Sequence, residues 1–137
     1  MKNLTTGIYT LFNTANDFNT AIGGRLFKGR APVGTVLPYA IFFVVSDAYD
    51  PTFNEDIEDV LIQFSLFSET SSSAEIEDMY IALKSLYDNT SFPVTGNIVI
   101  NMQRLQATIS CIEADAVSGS EAYWQYDVDY SCVMQKI

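Results

Sequence analysis

Six carboxylates crowd into one short stretch of this chain: Asp47, Asp50, Glu55, Asp56, Glu58 and Asp59 fall within thirteen residues. Oxygen ligands of this kind hold hard cations such as calcium, but the spacing matches no calcium-binding loop. Two of them at the right separation across a cleft could serve as acid and base in sugar hydrolysis, a distance that sequence does not set. The simpler reading is a solvated acidic loop between two strands, because charge runs face water. A second cluster has the opposite sign. Arg25, Lys28 and Arg30 are three of only seven basic residues and stand beside a loop with Pro32, Gly34 and Pro38. They read either as a contact point for an acidic partner or neighbouring subunit, or as an ordinary exposed loop whose charges contribute little.

Other reactive chemistry is absent from the sequence. The chain has no histidine, which excludes imidazole as base, acid or metal ligand. It has neither the G-x-x-x-x-G-K-[ST] nor the G-x-G-x-x-G pattern, and two isolated cysteines cannot build a four-ligand zinc site. Cys111 and Cys132 both lie on the apolar phase of predicted strands, so both are expected buried and reduced. No cofactor is expected, and no enzymatic activity.

The balance of seven Lys and Arg against seventeen Asp and Glu gives a formal charge of −10. Nucleic-acid affinity rests on clustered basic side chains, so direct binding to DNA or RNA is disfavoured. With 48% hydrophobic residues and 18% charged, the 137-residue chain is expected to fold as one domain, 1–137, around one core. The N-terminal MKNLTTGIYT lacks the apolar core of a signal peptide. The longest apolar run, Val36 to Val45, is interrupted by Pro38 and too short to span a bilayer. The expectation is a soluble cytoplasmic protein with no membrane partner.

Hydrophobic spacing sets the elements that hold these residues. Leu4, Ile8, Leu11, Phe12 and Ala15 share one face of a helix over 5–16, and Asp17 can cap a further helical turn with Phe18 and Ile22. Gly23 and Gly24 end that turn, and Leu26 and Phe27 open a short strand. Tyr39 to Asp47 is a strand so apolar that it should be central and covered on both faces. Residues 59–67 alternate, with Val60, Ile62, Phe64 and Leu66 in one phase. Ser72 and Glu75 fit a capping box for a helix over 73–88 with Ile76, Met79, Leu83 and Tyr87 inward. Strands are predicted over 98–104 and 107–113, a turn at Ser118–Ser120, and a last strand from Ala122 to Met134 with one face wet. The order α, β, β, β, α, β, β, β gives an α+β fold: a mostly antiparallel β-sheet with two α-helices packed on one side.

Residues 23–47 give the chain its most specific pattern: Gly23-Gly24-Arg25, then Ala31-Pro32, then Pro38-Tyr39 leading into a strand that ends near Ser46-Asp47, all after one helix. In order and spacing this resembles the tail-completion, or tail-terminator, family of long-tailed bacteriophages and gene transfer agents. The resemblance implies a structural virion protein, assembled in the host cytoplasm, that forms a ring of itself, typically a hexamer. That ring caps the head-proximal end of the tail tube, stops tube polymerisation and offers the head-joining surface. Its implied partners are the major tail tube protein and the head-side connector or stopper, with DNA passing through without specific binding. On this reading Arg25, Lys28, Arg30, Pro32 and Pro38 are candidates for the subunit or tube interface, and Asp47, Asp50, Glu55 and Asp56 for an acidic loop facing lumen or partner. The alternatives are a head-tail adaptor or other tail subunit of the same virion, and an acidic inhibitor that mimics DNA.

Overall fold

The computed structural model describes residues 2–50, 56–69, 73–112 and 122–136. Eight elements follow in the order α1 (Lys2–Phe12), α2 (Asp17–Ala21), β1 (Leu26–Lys28), β2 (Tyr39–Asp50), β3 (Ile57–Ser68), α3 (Ala74–Tyr87), β4 (Asn97–Ile112) and β5 (Tyr123–Lys136). The strands form one sheet in the order β1-β2-β3-β5-β4. Among the described residues only β1 and β2 pair in parallel; the other three pairings are antiparallel. This is the expected α+β architecture.

Two pieces of local chemistry shape the start of the chain. The first helix ends at Phe12, earlier than the periodicity suggests, because Asn16 begins a new one: its Oδ1 accepts the Asn19 N–H at 2.8 Å. Asn16, not Asp17, is therefore the cap of α2. After α2 the backbone takes positive φ at Gly23 and Gly24, which glycine permits without a Cβ clash.

The core lies between the helices and one face of the sheet. Leu4, Ile8 and Phe12 of α1, Phe18 of α2 and Ile76, Met79 and Leu83 of α3 are buried together with the strand residues. On the sheet these are the alternate positions Ala40 and Phe42, then Val60, Ile62, Phe64 and Leu66, then Val128, Tyr130 and Cys132. Phe64 is the hub. Its ring centroid lies 4.9 Å from Tyr87, 5.7 Å from Tyr130 and 5.8 Å from Phe42. The Tyr87 hydroxyl donates to the Ile8 carbonyl at 3.0 Å and so ties α3 to α1. Arg104 of β4 donates to the Tyr80 hydroxyl and sits 3.5 Å from Asp88, whose other oxygen accepts from Tyr130. Burial first, and Asp88 second, push the Tyr130 hydroxyl far above its ordinary range, so it remains a donor.

Three expectations need correction. The strands predicted over 98–104 and 107–113 are a single strand, β4, with register shifts between Val99 and Asn101 and between Arg104 and Gln106. Bulges bend a strand and change its phase without a turn, and no Gly or Pro interrupts 97–112. β2 is not covered on both faces: Ala40 and Phe42 are buried, Ile41 and Phe43 half-buried, and Val45 is exposed. Its apolar second phase belongs to a sheet face that no element covers among the described residues. Cys132 is buried as expected, but Cys111 is exposed. Its register opposite Trp124 keeps it in the core phase, yet that end of β4 is thinly covered among the described residues: Ile109, in the same phase opposite Tyr126, is also exposed. In the predicted capping box, Ser72 lies outside the described residues, and Glu75 accepts from Ser68 Oγ at 2.6 Å. The turn expected at Ser118–Ser120 also lies outside the described residues.

Candidate functional site

The face of the sheet opposite the helices has no covering element among the described residues, and alternation assigns its members. On β3 they are Asp59, Leu61, Gln63, Ser65 and Phe67; on β5, Tyr123, Gln125, Asp127, Asp129 and Ser131; on β2, Tyr39, Ile41 and Phe43. At one end an aromatic row crosses four strands. Phe27 and Tyr39 have ring centroids 6.5 Å apart, Tyr39 stacks on Phe67 at 4.9 Å, and Phe67 lies 6.1 Å from Tyr123.

Beyond that row the face is a polar lattice built around three aspartates. Asp129 accepts from Gln63 Nε2 and from Gln106 Nε2, each at 2.9 Å. Asp127 accepts from Ser65 Oγ at 2.7 Å and from Gln125 Nε2 at 3.0 Å. Asp59 accepts from Ser131 Oγ. Every donor is a neutral amide or hydroxyl, so hydrogen bonds rather than ion pairs hold these carboxylates in place. None of the seven basic residues occupies a strand position on this face. Lys2 and Lys84 are on helices, Arg25 and Arg30 precede and follow β1, and Lys28, Arg104 and Lys136 fall in the opposite strand phase. A shallow dimple of about 250 Å³ lined by Ser46, Ala48, Asp59, Leu61, Leu105 and Ser131 sits where the bulges of β2 and β4 meet this face.

The residues singled out from sequence occupy two opposite ends of the molecule. Lys28 and Arg30 are exposed beside a loop whose tip, Val33, is fully exposed. Arg25 differs from them in being half-buried, and its Nε donates to the Pro38 carbonyl at 2.9 Å, which closes the base of the loop. Pro32 is exposed and Pro38 half-buried. The acidic group sits toward the other end of β2: Asp47 lies five residues, roughly 16 Å, beyond Phe42, which pairs with Lys28. Asp47 is exposed there, with Asp56 and Glu58 half-buried. Burial, then the neighbouring Asp47 and Asp56, raise the Glu58 carboxyl above its ordinary range. Asp50 ends β2, Glu55 lies outside the described residues, and Asp59 points to the other face. Among the described residues, no three carboxylate or thiol groups converge to hold a metal ion.

Sequence reasoning placed Asp127 and Asp129 on a wet strand phase but did not join them to Gln63, Ser65 and Asp59. The signal available was the polar phase of 59–67 read together with that of the last strand.

Comparison with known proteins gives three results. Residues 6–134 match the family model described as Tail completion protein gp17. None of the curated proteins matches the chain. A chain of the solved structure described as "Virion of native gene transfer agent (GTA) particle" superposes with a TM-score of 0.72 at 15% identity, covering 96% of this chain and 94% of that chain. At that identity the likeness is one of fold.

Proposed function

This chain belongs to the tail completion protein gp17 family and has a structural role in the phage tail; from that premise we propose that it is the subunit of a hexameric ring that caps the head-proximal end of the tail tube. The ring stops tube polymerisation by surface complementarity: one face matches the last ring of tube protein and the other matches the head-side connector. No bond is made or broken, and residues 1–137 act as one unit. The observation that carries this reading is the family match over residues 6–134.

The helix-free sheet face supports a further element of it. In a ring with the helices outward, Asp59, Asp127 and Asp129 line the channel, already satisfied by neutral donors. Six copies at −10 give a ring charge of about −60, and a negative wall repels DNA phosphates rather than holding them during passage. The projecting loop with Lys28 and Arg30, its base closed by Arg25 and Pro38, serves as the contact to tube or neighbouring subunit. The acidic end with Asp47, Asp50, Glu55 and Asp56 meets the other partner.

Deleting the gene from a producing phage tests the cap directly. Electron microscopy should show filled heads beside separate, overlong tails; normal infectious particles would overturn the reading. Arg30→Glu should impair joining in the same assay, and Arg25→Glu should do so by loosening the loop.

A further inference from the structure

The two outer edges of the sheet are open in complementary places. On one side β4 is the terminal strand, and only its first half is covered. The Asn89 N–H donates to the Met102 carbonyl and Ser91 Oγ to the Val99 carbonyl, each at 2.7 Å, so the segment after α3 runs along that half. From Leu105 to Ile112 the edge has no partner among the described residues. This half has no charged residue and no proline, and Leu105, Ile109 and Ile112 are exposed. On the other side β1 pairs only with Ala40, Ile41 and Phe42, which leaves β2 from Val44 to Asp50 without an outer partner among the described residues; Val45 and Tyr49 are exposed there. Long uncharged edges are sites of strand addition unless guarded, and from Gln106 to Ile112, past the bulge at Leu105, the β4 edge carries no charge, proline or further bulge.

Building on the ring reading above, we infer that the open half of β4 in one subunit pairs with the open half of β2 in the next, joining the sheets of a ring of copies into one barrel. Three antiparallel steps separate β2 from β4, so the two strands run in opposite directions and a rotated copy presents them antiparallel. The open halves lie at opposite ends of the sheet, so the copies must be staggered. Asp47 is level with Val60, Cys132 and Met102, and residues paired across strands share a face. Matching faces puts Asp47 opposite Ala107 or Ile109, which are level with Val128 or Tyr126 on β5. The stagger is thus four or six residues on β5, roughly 13 or 20 Å, against a subunit width of four strands, roughly 19 Å. Those ratios tilt the strands by about 35 to 45° from the ring axis, the range in which closed barrels are built. A head-to-tail contact that closes by rotation gives a ring, as the capping function requires. Asp47 near the β2 edge also opposes pairing of two β2 edges, since like charges would face each other.

Disulfide trapping tests the pairing. In a Cys111→Ser background, the double variants Asp47→Cys/Ala107→Cys and Asp47→Cys/Ile109→Cys are oxidised at increasing protein concentration and run without reductant. One of the two should give a ladder of multimers, while each single variant gives no ladder. Ile109→Lys, or Thr108→Lys should the first fail to fold by circular dichroism, should weaken association at least tenfold by light scattering. A chain monomeric up to its solubility limit overturns the inference, as does a covalent dimer from Ile109→Cys alone, which would mean β4 pairs with β4. Tail assembly separates this from the functional reading. Capped tails without the ladder reject the edge pairing alone, and a ladder from a protein whose deletion leaves tails normal rejects the cap alone.

Discussion

Asp127 is the position at which the polar lattice makes a quantitative claim. Its carboxylate accepts from Ser65 Oγ at 2.7 Å, and Ser65 is only 4% exposed although it lies on the helix-free face. Asp127→Ala leaves that hydroxyl without its acceptor, a loss of about 1–3 kcal/mol. The opposing effect is relief of repulsion with Asp129, two residues along the same strand face. At roughly 7 Å in a water-like dielectric that repulsion is about 0.6 kcal/mol before salt screening. The hydrogen bond wins, and Asp127→Ala should lower the melting temperature by roughly 3–8 °C for a chain of this length. Asp127→Asn keeps an acceptor for Ser65 and removes the charge, so it should melt at or slightly above the parent. Calorimetry at physiological salt, repeated at high salt, checks both. An alanine variant as stable as the asparagine variant would refute the lattice, because the carboxylate would then be a repelling charge with no partner to hold.

Three further outcomes follow from packing and titration. Gly7→Ala places a Cβ 2.8 Å from the Pro93 carbonyl and 3.0 Å from Val94, so α1 must lift off the 92–94 segment; urea titration should show a loss of about 1–3 kcal/mol. Burial raises the Cys132 thiol to about 12, whereas Cys111 is exposed; iodoacetamide at neutral pH should label Cys111 alone in the native protein and both thiols after unfolding, as counted by mass spectrometry. Glu58 has a folded pKa above its unfolded value, so its ionised form is disfavoured in the fold and the cost is relieved as pH falls. Glu58→Gln should therefore be more stable than the parent at neutral pH, with the difference closing below the carboxylate range in pH-dependent melts.

Much of the fold was legible because it follows from short-range periodicity. The alternation of Val60, Ile62, Phe64 and Leu66, and of Val128, Tyr130 and Cys132, marks the core phase of two strands, and Ile76, Met79 and Leu83 mark the inner stripe of α3. The same logic failed where a local device reset the phase. Asn16 stopped the first helix through a side-chain bond, and bulges at Ile100 and Leu105 let β4 continue where two strands were expected. Cys111 kept the core phase but lost its cover, since phase is a property of the strand and burial a property of what packs on it.

The sequence by itself determined the α+β class, the family through its pattern at residues 23–47, the absence of imidazole chemistry and the strongly negative charge, because each depends only on residue types and their local spacing. Tertiary structure alone decided which acids share a surface. Asp47 and Asp59 are close in the chain yet occupy opposite faces, while Asp59 joins Asp127 and Asp129 from a strand more than sixty residues away. It also decided which sheet edges remain open, since that depends on where β1 stops and where the segment after α3 lies along β4. Strand order and register set both, and they are fixed by the packing of all the elements together rather than by any one segment.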